Sequence, residues 1–111
     1  MTVRRGLVIG ALATGILATA GSASSQAAPR QHVITMSNMS FGKIPSNLKV
    51  GDTIVWVNAD TVPHSITARD RSFDLRTGPK RRAQMTLKKA GTIPIYCIYH
   101  PAMRGTLKVA G

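Results

Sequence analysis

The 111-residue sequence contains a single cysteine, Cys97. A disulfide bond within the chain is therefore excluded, and Cys97 is left to pair with another molecule, to react as a thiol or to bind a metal. Small exported domains usually supplement a marginal hydrophobic core with disulfides or a metal. Because the first of these is excluded, the lone cysteine favours a metal if the chain is exported.

Acidic residues are also scarce, since four Asp face 15 Lys and Arg and give a formal net charge of +11. Such a basic chain raises the question of nucleic-acid binding, but it contains no recognisable nucleic-acid motif. Net charge by itself bears on partners and association rates rather than on fold or activity. We therefore expect no nucleic-acid binding, and we expect an acidic protein partner or an anionic surface instead.

No apolar run is long enough to be a clear membrane span. Arg4 and Arg5 precede an apolar segment over residues 7–20, which glycines interrupt and small and polar residues follow. This segment is shorter than the roughly 17 to 25 residues that cross a bilayer. The order of basic, apolar and small residues is that of a secretory signal peptide, and we predict cleavage after Ala27. The paired arginines also permit a twin-arginine signal, so the export route stays open.

Cleavage leaves residues 28–111 as one domain with no transmembrane segment. It removes Arg4 and Arg5, so 13 Lys and Arg then face four Asp, for a net charge of +9. We expect this domain to be periplasmic or otherwise exported.

Sustained helical periodicity is absent after residue 30. Short segments rich in apolar and β-branched residues recur instead, separated by Gly, Pro and Asp turns. Ala83, Met85 and Leu87 place apolar side chains at alternate positions, which predicts a strand with one buried face. Residues 53–57, which are rich in β-branched and aromatic residues, and residues 93–97 are further predicted strands. The sequence predicts an all-β fold, a small antiparallel β-sandwich of seven to eight strands.

The chemistry-bearing residues cluster near the end of the chain, where Cys97, His100 and Met103 follow one another at three-residue steps. Cys97 ends a predicted strand, Pro101 stiffens the loop, and Gly105 permits the turn into the last strand. Soft thiolate and thioether ligands combined with an imidazole suit copper. A trigonal set of two His and one Cys with a weak axial Met is the blue-copper electron-transfer arrangement. The loop supplies all of these except one histidine.

The second histidine must be His32 or His64, the only others in the chain. His64 follows Pro63 between two predicted strands, and such a rim position faces the Cys97 loop. His32 lies near the predicted N-terminus, where a lone histidine is more often a surface residue, so we leave it out. Zinc is the competing ion for these residue types, but zinc sites favour four strong ligands and do not need a thioether.

Two segments, NADTVPHSI (58–66) and AGTIPIYCIYHPAMRGTLKV (90–109), resemble the cupredoxins, which are small type 1 blue copper proteins. The short Cys-x-x-His-Pro-x-Met-Arg-Gly loop resembles the amicyanin group most, and residues 41–60 also resemble the family. The resemblance covers nearly all of residues 28–111. It implies a Greek-key β-sandwich that binds one copper ion at one end. The ligands that it implies are His64, Cys97, His100 and Met103.

Three positions depart from the family pattern. Ser65 stands where an asparagine often braces the two ligand loops, and its shorter hydroxyl is expected to reach less far. Tyr99 stands where amicyanins have a proline, and its backbone N–H is expected to donate to the Cys97 sulfur and raise the redox potential. Ala102 replaces a phenylalanine and makes the surroundings of the site less bulky.

The resemblance implies a monomeric electron carrier, not an enzyme, that shuttles single electrons between a redox donor and a redox acceptor by Cu(II)/Cu(I) cycling. The edge of His100 is the expected electron route, within a small apolar patch of Pro63, Pro101 and Ala102. A basic flank is expected to steer partners with acidic docking surfaces. This flank, which equally suits a merely solvated face, comprises Arg69, Arg71, Arg76, Lys80, Arg81 and Arg82.

A second function fits the same residues, that of a copper carrier or resistance protein that binds and delivers the metal. Clusters of exposed Met or His would favour it, and Met36 and Met39 are the only hint of such a cluster. Core packing explains Met36 at least as well. An enzyme is disfavoured because the sequence offers no second site and no paired acid and base.

Overall fold

The computed structural model describes residues 28–111, so the predicted signal peptide over residues 1–27 lies outside the described residues. These residues form nine strands, and no helix among them is long and apolar enough to cross a bilayer. The strands are β1 (Gln31–Ser37), β2 (Ser40–Phe41), β3 (Leu48–Lys49), β4 (Thr53–Asn58), β5 (His64–Ala68), β6 (Asp74–Thr77), β7 (Arg82–Thr86), β8 (Gly91–Tyr96) and β9 (Arg104–Ala110).

The strands form two sheets, ordered β2-β1-β4-β7 and β3-β9-β8-β5-β6, which pack face to face. The predicted all-β sandwich is confirmed. Two details differ. There are nine strands, of which β2 and β3 have only two residues each, and the pairs β1·β4 and β3·β9 are parallel. Residue alternation is the same in parallel and antiparallel strands, so the sequence pattern did not give strand direction.

The core consists of the inward-facing side chains of both sheets. Phe41 contacts Trp56 edge to face, with ring centroids 5.9 Å apart, which is a favoured aromatic geometry. The largest fully buried apolar side chains are Trp56, Ile34, Met36, Leu48, Ile54, Ile66, Leu87, Ile95 and Leu107. In β1 and β9, burial at every second position fixes the register, since a slip of one residue would turn the apolar face outward.

The two ends of the sandwich differ in character. At one end, here called the site end, β4 and β8 finish while β5 and β9 begin, so the loops 59–63 and 97–103 meet. At the opposite end, Gly51 (φ 98°) and Gly91 (φ 120°) adopt backbone conformations that other residues rarely tolerate. The four ligands predicted from the sequence all lie at the site end.

Candidate metal centre

The structure places all four predicted ligands at the site end. His64 is the first residue of β5, Cys97 directly follows β8, and Met103 directly precedes β9. His64, Cys97 and Met103 are buried, with exposed fractions of 0%, 0% and 3%, while His100 is partly buried in the loop between Cys97 and Met103.

His64 and Cys97 face each other, with Nδ1 of the imidazole 3.9 Å from the sulfur. The other ring nitrogen, Nε2, lies 2.7 Å from Oδ2 of Asp60. An ionised carboxylate can only accept hydrogen bonds, so Nε2 carries the proton and the lone pair on Nδ1 points toward the sulfur. A metal bonded to one S and one N at lengths of about 2.3 and 2.0 Å requires the two atoms to be less than about 4.3 Å apart. The pair meets that condition.

Asp60 is held by more than the histidine. Its two carboxylate oxygens also accept the backbone N–H groups of Asn38 (2.8 Å) and Met39 (3.0 Å), two residues with left-handed φ angles of 53° and 61°. These hydrogen bonds, that of His64 above all, lower the pKa of Asp60 to about 2. The carboxylate is therefore ionised at neutral pH, which is the state that fixes the tautomer of His64.

Asn58 organises the loop that carries Asp60 and His64. Its fully buried side chain donates from Nδ2 to the carbonyls of Val62 (2.8 Å) and Gly78 (3.1 Å) and accepts the Asp60 N–H at 2.9 Å. One side chain thus satisfies several backbone groups that would otherwise be unpaired in a tight turn. The position of His64 depends on this turn.

The Cys97 loop is closed by its own backbone. The N–H of Cys97 donates to the carbonyl of Met103 (3.0 Å), and the N–H of Met103 donates to that of His100 (2.8 Å). The sulfur of Cys97 accepts the backbone N–H of Ser65 at 3.3 Å. The prediction that Tyr99 donates to the sulfur is wrong in this structure, because the N–H that reaches it comes from the neighbouring strand rather than from the loop.

Ser65 joins the two ligand loops through its side chain as well. Its Oγ accepts the N–H of Ile98 at 2.8 Å, across 33 residues of sequence. We predicted that this hydroxyl would reach less far than an asparagine, but it does reach the other loop. The reason is that Ser65 is fully buried in the strand beside the loop, so even a short side chain spans the gap.

His100 supplies a further indication of a ligand site. Its ring centroid lies 5.5 Å from that of His64, and its Nε2 is buried with no hydrogen-bond partner among residues 28–111. A buried polar atom without a partner is costly, and a metal would relieve that cost. Within the described part of the chain, however, no three His, Cys or carboxylate side chains converge closely enough to form a complete metal site. The arrangement is thus a formed His64–Cys97 pair with His100 and Met103 on the adjoining loop, and the four-ligand set stays a prediction.

His32 lies at the opposite end of the sandwich. Its Nε2 is 2.8 Å from Oδ2 of Asp52, and its side chain is only 9% exposed. The interpretation of His32 as a surface residue is therefore wrong, although its omission from the ligand set agrees with its position. Asp52 also accepts the N–H groups of Arg30 and Lys49, and these bonds, Arg30 first and then His32, lower the pKa of Asp52.

Sequence reasoning missed the supporting residues Asn58 and Asp60 and misjudged Ser65. A carboxylate four residues before a candidate ligand histidine, and an asparagine at the end of a buried strand, were the available signals. Neither is specific alone, because both residue types are common in turns.

The surface above the site is apolar and exposed. Pro63, Pro101 and Ala102 are exposed, as predicted, and Ile98 and Tyr99 add exposed fractions of 39% and 43%.

The six residues of the basic flank are all exposed, but they do not form one patch around the site. They follow the edge strand β6 from Arg69 and Arg71, in the turn before it, to Lys80, Arg81 and Arg82 at the site end. Three have partners of their own within the fold: Arg76 forms an ion pair with Asp74, with Nε 2.9 Å from Oδ1. The Arg69 guanidinium lies 4.4 Å from the Tyr96 ring centroid, and Lys80 Nζ donates to the carbonyl of Ala59 at 2.6 Å.

Known proteins share sequence and fold with this chain. The family model described as a cupredoxin-like domain matches residues 9–109. Amicyanin from Paracoccus denitrificans is 29% identical over 93 residues, covering 78% of this chain and 71% of that protein. The chloroplastic plastocyanin of Fritillaria agrestis is 30% identical over 108 residues, covering 81% of this chain and 65% of that protein.

Solved structures of amicyanin share the fold. A reduced amicyanin mutant superposes with a TM-score of 0.61 at 28% identity, covering 70% of this chain and 80% of that one. The crystal structure of amicyanin from Paracoccus versutus gives a TM-score of 0.60 at 25% identity, over 70% and 79% of the two chains.

Proposed function

This chain belongs to the cupredoxin-like family, and from that premise we propose that it is a type 1 copper protein that carries single electrons between redox partners. The observation that carries the proposal is the buried pair of His64 Nδ1 and Cys97 Sγ, 3.9 Å apart, with the histidine tautomer fixed by Asp60. The similarity to amicyanins and to a plastocyanin supports the same function.

The proposed ligands are the Cys97 thiolate, the imidazoles of His64 and His100, and the Met103 thioether as a weak fourth ligand. A soft sulfur pair with two imidazoles suits copper, which when bound there would supply one-electron Cu(II)/Cu(I) chemistry. Zinc is less well matched, because it has no use for a thioether.

The chain's own contribution is to hold these side chains in place. The Asn58 turn fixes the loop before His64, and the Cys97–Met103 backbone hydrogen bond closes the second loop. Ligands anchored in this way change little between two oxidation states, and a small rearrangement is what rapid electron transfer requires. This role needs no substrate pocket, so we propose a carrier rather than an enzyme.

We place the electron route at His100, the one proposed ligand that is only partly buried. The exposed apolar residues around it form the contact surface for donor and acceptor. The basic residues at the site end of β6 steer partners with acidic docking surfaces, since complementary charge raises association rates more than affinity.

We also propose that residues 1–27 are a cleaved signal peptide and that the domain works as a monomer in the periplasm. The basic, apolar and small-residue order of the leader supports export. N-terminal sequencing of the protein from a periplasmic extract is expected to begin at Ala28. A first residue before the apolar segment, in protein retained at the membrane, would contradict cleavage.

The rival function, copper delivery, draws on one observation: Met39 is 41% exposed near the site end, whereas Met36 is fully buried in the core. Cyclic voltammetry of the copper-loaded protein, repeated in the presence of a Cu(I) chelator, separates the two. A carrier gives a reversible one-electron wave and keeps its copper through many cycles. Loss of copper to the chelator upon the first reduction would favour delivery.

A further inference from the structure

The two residues between the ligands Cys97 and His100 are each tied to a neighbouring strand. Ile98 is held through its backbone N–H, and Tyr99 is held through its phenol oxygen. Both connections lead to the same carboxylate, Asp74 on β6, by different routes.

The first route runs through β5. The N–H of Ile98 donates to Ser65 Oγ (2.8 Å), Ser65 Oγ lies 2.9 Å from Thr67 Oγ1, and Thr67 Oγ1 donates to Asp74 Oδ1 at 3.0 Å. The single hydroxyl hydrogen of Thr67 is donated to the carboxylate. The hydrogen bond between the two hydroxyls must therefore be donated by Ser65. The route therefore has one direction, from the loop amide to a negative charge. Each donor in it is polarised by the next acceptor.

The second route runs through Arg76. Its guanidinium donates two hydrogen bonds to Asp74, from Nε and Nη2, each 2.9 Å from a different carboxylate oxygen. Its third nitrogen, Nη1, donates to the Tyr99 hydroxyl at 3.3 Å, and the guanidinium carbon lies 5.7 Å from the centroid of the Tyr99 ring. Since Tyr99 adjoins Ile98, the two routes close into a ring.

We propose that this ring of hydrogen bonds is a clamp that positions the Ile98–Tyr99 segment and, with it, the Cys97 sulfur. Its members are Ser65, Thr67, Asp74, Arg76 and Tyr99. Ser65 is the point of contact with the ligand, because its N–H donates to the Cys97 sulfur while its Oγ holds the next residue of the loop. Thr67 and Asp74 are positioning residues that act through Ser65.

The two halves of the clamp contribute unequally to holding the Ile98–Tyr99 segment in place. Ser65 and Thr67 are buried, with exposed fractions of 0% and 4%, whereas the Asp74 and Arg76 side chains are 45% and 49% exposed. Ion pairs exposed to water contribute little, while a buried hydroxyl left without a partner is costly. Removing the Thr67 hydroxyl should therefore loosen the loop more than neutralising Asp74.

Amide hydrogen exchange at Ile98, measured by NMR on copper-free protein, tests the clamp. In Thr67→Val, which keeps the size of the side chain, exchange at Ile98 is expected to accelerate about fivefold, since one buried hydrogen bond is worth about 1 kcal/mol. Asp74→Asn and Tyr99→Phe are each expected to accelerate it by a smaller factor. Asp70→Asn is the matched control: Asp70 is another partly exposed aspartate in an ion pair, 2.6 Å from Lys89, but it has no connection to the loop.

The copper-loaded protein gives a second measurement, which a merely structural role would not move. A looser Ser65 weakens the N–H···S bond, and hydrogen bonds to a thiolate raise the redox potential. The potential of Thr67→Val is thus expected to fall below that of the wild type, with Asp70→Asn unchanged. This second arm rests on the proposed function, whereas the exchange measurement does not.

Equal Ile98 exchange in Thr67→Val, Asp74→Asn and the control would overturn the clamp. If Thr67→Val fails to fold, the exposed Asp74→Asn and Tyr99→Phe variants decide the matter by the same comparison. A failure to form a blue copper centre, with faster Ile98 exchange in the variants, would leave the clamp intact and reject the electron-carrier proposal. Ile98 exchange at the wild-type rate in every variant, in a protein that does form a blue, redox-active copper centre, would reject the clamp and leave the electron-carrier proposal intact.

Discussion

The individual residues of the site fall into two groups, the proposed ligands and the side chains that orient them. His64 has its lone pair turned toward Cys97 because the other ring nitrogen, Nε2, donates its N–H to the Asp60 carboxylate. Groups that orient a ligand in this way are worth about 10- to 100-fold in metal affinity.

Replacing Asp60 tests that orientation. In Asp60→Asn a single acceptor oxygen replaces two, and three N–H donors then compete for it. We expect copper affinity to fall about tenfold, as measured by competition with a chromogenic Cu(I) chelator. Asp70→Asn serves as the control for loss of one negative charge. Equal affinity in both variants would show that the Asp60 carboxylate does not orient the ligand.

The candidate ligands could be proposed from sequence because Cys97, His100 and Met103 are close neighbours in one loop. The supporting contacts could not, because each joins residues distant in sequence. Ser65 and Ile98 are 33 positions apart, and the spacing gives no sign that they meet. Which backbone N–H faces the sulfur depends in the same way on the packing of β5 against the loop, which is why the assignment to Tyr99 failed.

Among the elements, the β4–β5 connection is organised by one side chain, that of Asn58. Asn58 makes hydrogen bonds of 2.8 to 3.1 Å with three different residues of this connection and its neighbour. We expect Asn58→Ala to lower the free energy of unfolding by about 3 kcal/mol, on the basis of about 1 kcal/mol for each bond lost. Urea denaturation measures the change. Asn47→Ala, at an exposed position, is expected to cost little, and a similar cost for both would contradict the role of Asn58.

The start of β1 is held to the β3–β4 turn by Asp52, and this attachment depends on pH. Its hydrogen bonds lower the pKa of Asp52 below the usual 3.8, so the unfolded chain binds the proton more readily. The stability that Asp52 contributes is therefore present above about pH 4 and is lost as the pH falls through the lower, folded value.

Asp52→Asn reveals this share of the stability. The wild type should be the more stable protein at about pH 5, and the difference should shrink toward about pH 2. Urea midpoints at the two pH values give the measurement. The contributions of the other carboxylates to stability are the same in both proteins and cancel in the comparison. A difference that does not change with pH would mean that the Asp52 charge makes no contribution.

For the whole molecule, the class of fold followed from residue alternation and turn residues, whereas strand direction did not. The pairs β1·β4 and β3·β9 are parallel, and their partners are separated by intervening strands whose course no local pattern records. The residues of the basic flank also lie further apart in the structure than their sequence positions suggest. Its residues are near neighbours in the chain, yet the β5–β6 turn carries Arg69 and Arg71 to the opposite end from the site.

The overall charge should govern the encounter with redox partners. With a net charge of +9 on residues 28–111, the reduced, copper-loaded protein should react with hexacyanoferrate(III) at a rate that falls as ionic strength rises. Stopped-flow kinetics at several salt concentrations give the slope. A cationic oxidant is the control and should show the opposite trend. A rate with the anion that is independent of salt would contradict steering by charge.

We propose above all that His64, Cys97, His100 and Met103 together bind one copper ion in a type 1 site. The most direct measurement is a Cu(II) titration of the reduced protein, followed by visible absorption and EPR, beside Cys97→Ala. We expect an intense thiolate-to-copper band with narrow copper hyperfine splitting that saturates at one equivalent, and loss of both in the variant. Copper uptake without that band, or a band that survives in Cys97→Ala, would contradict this proposal.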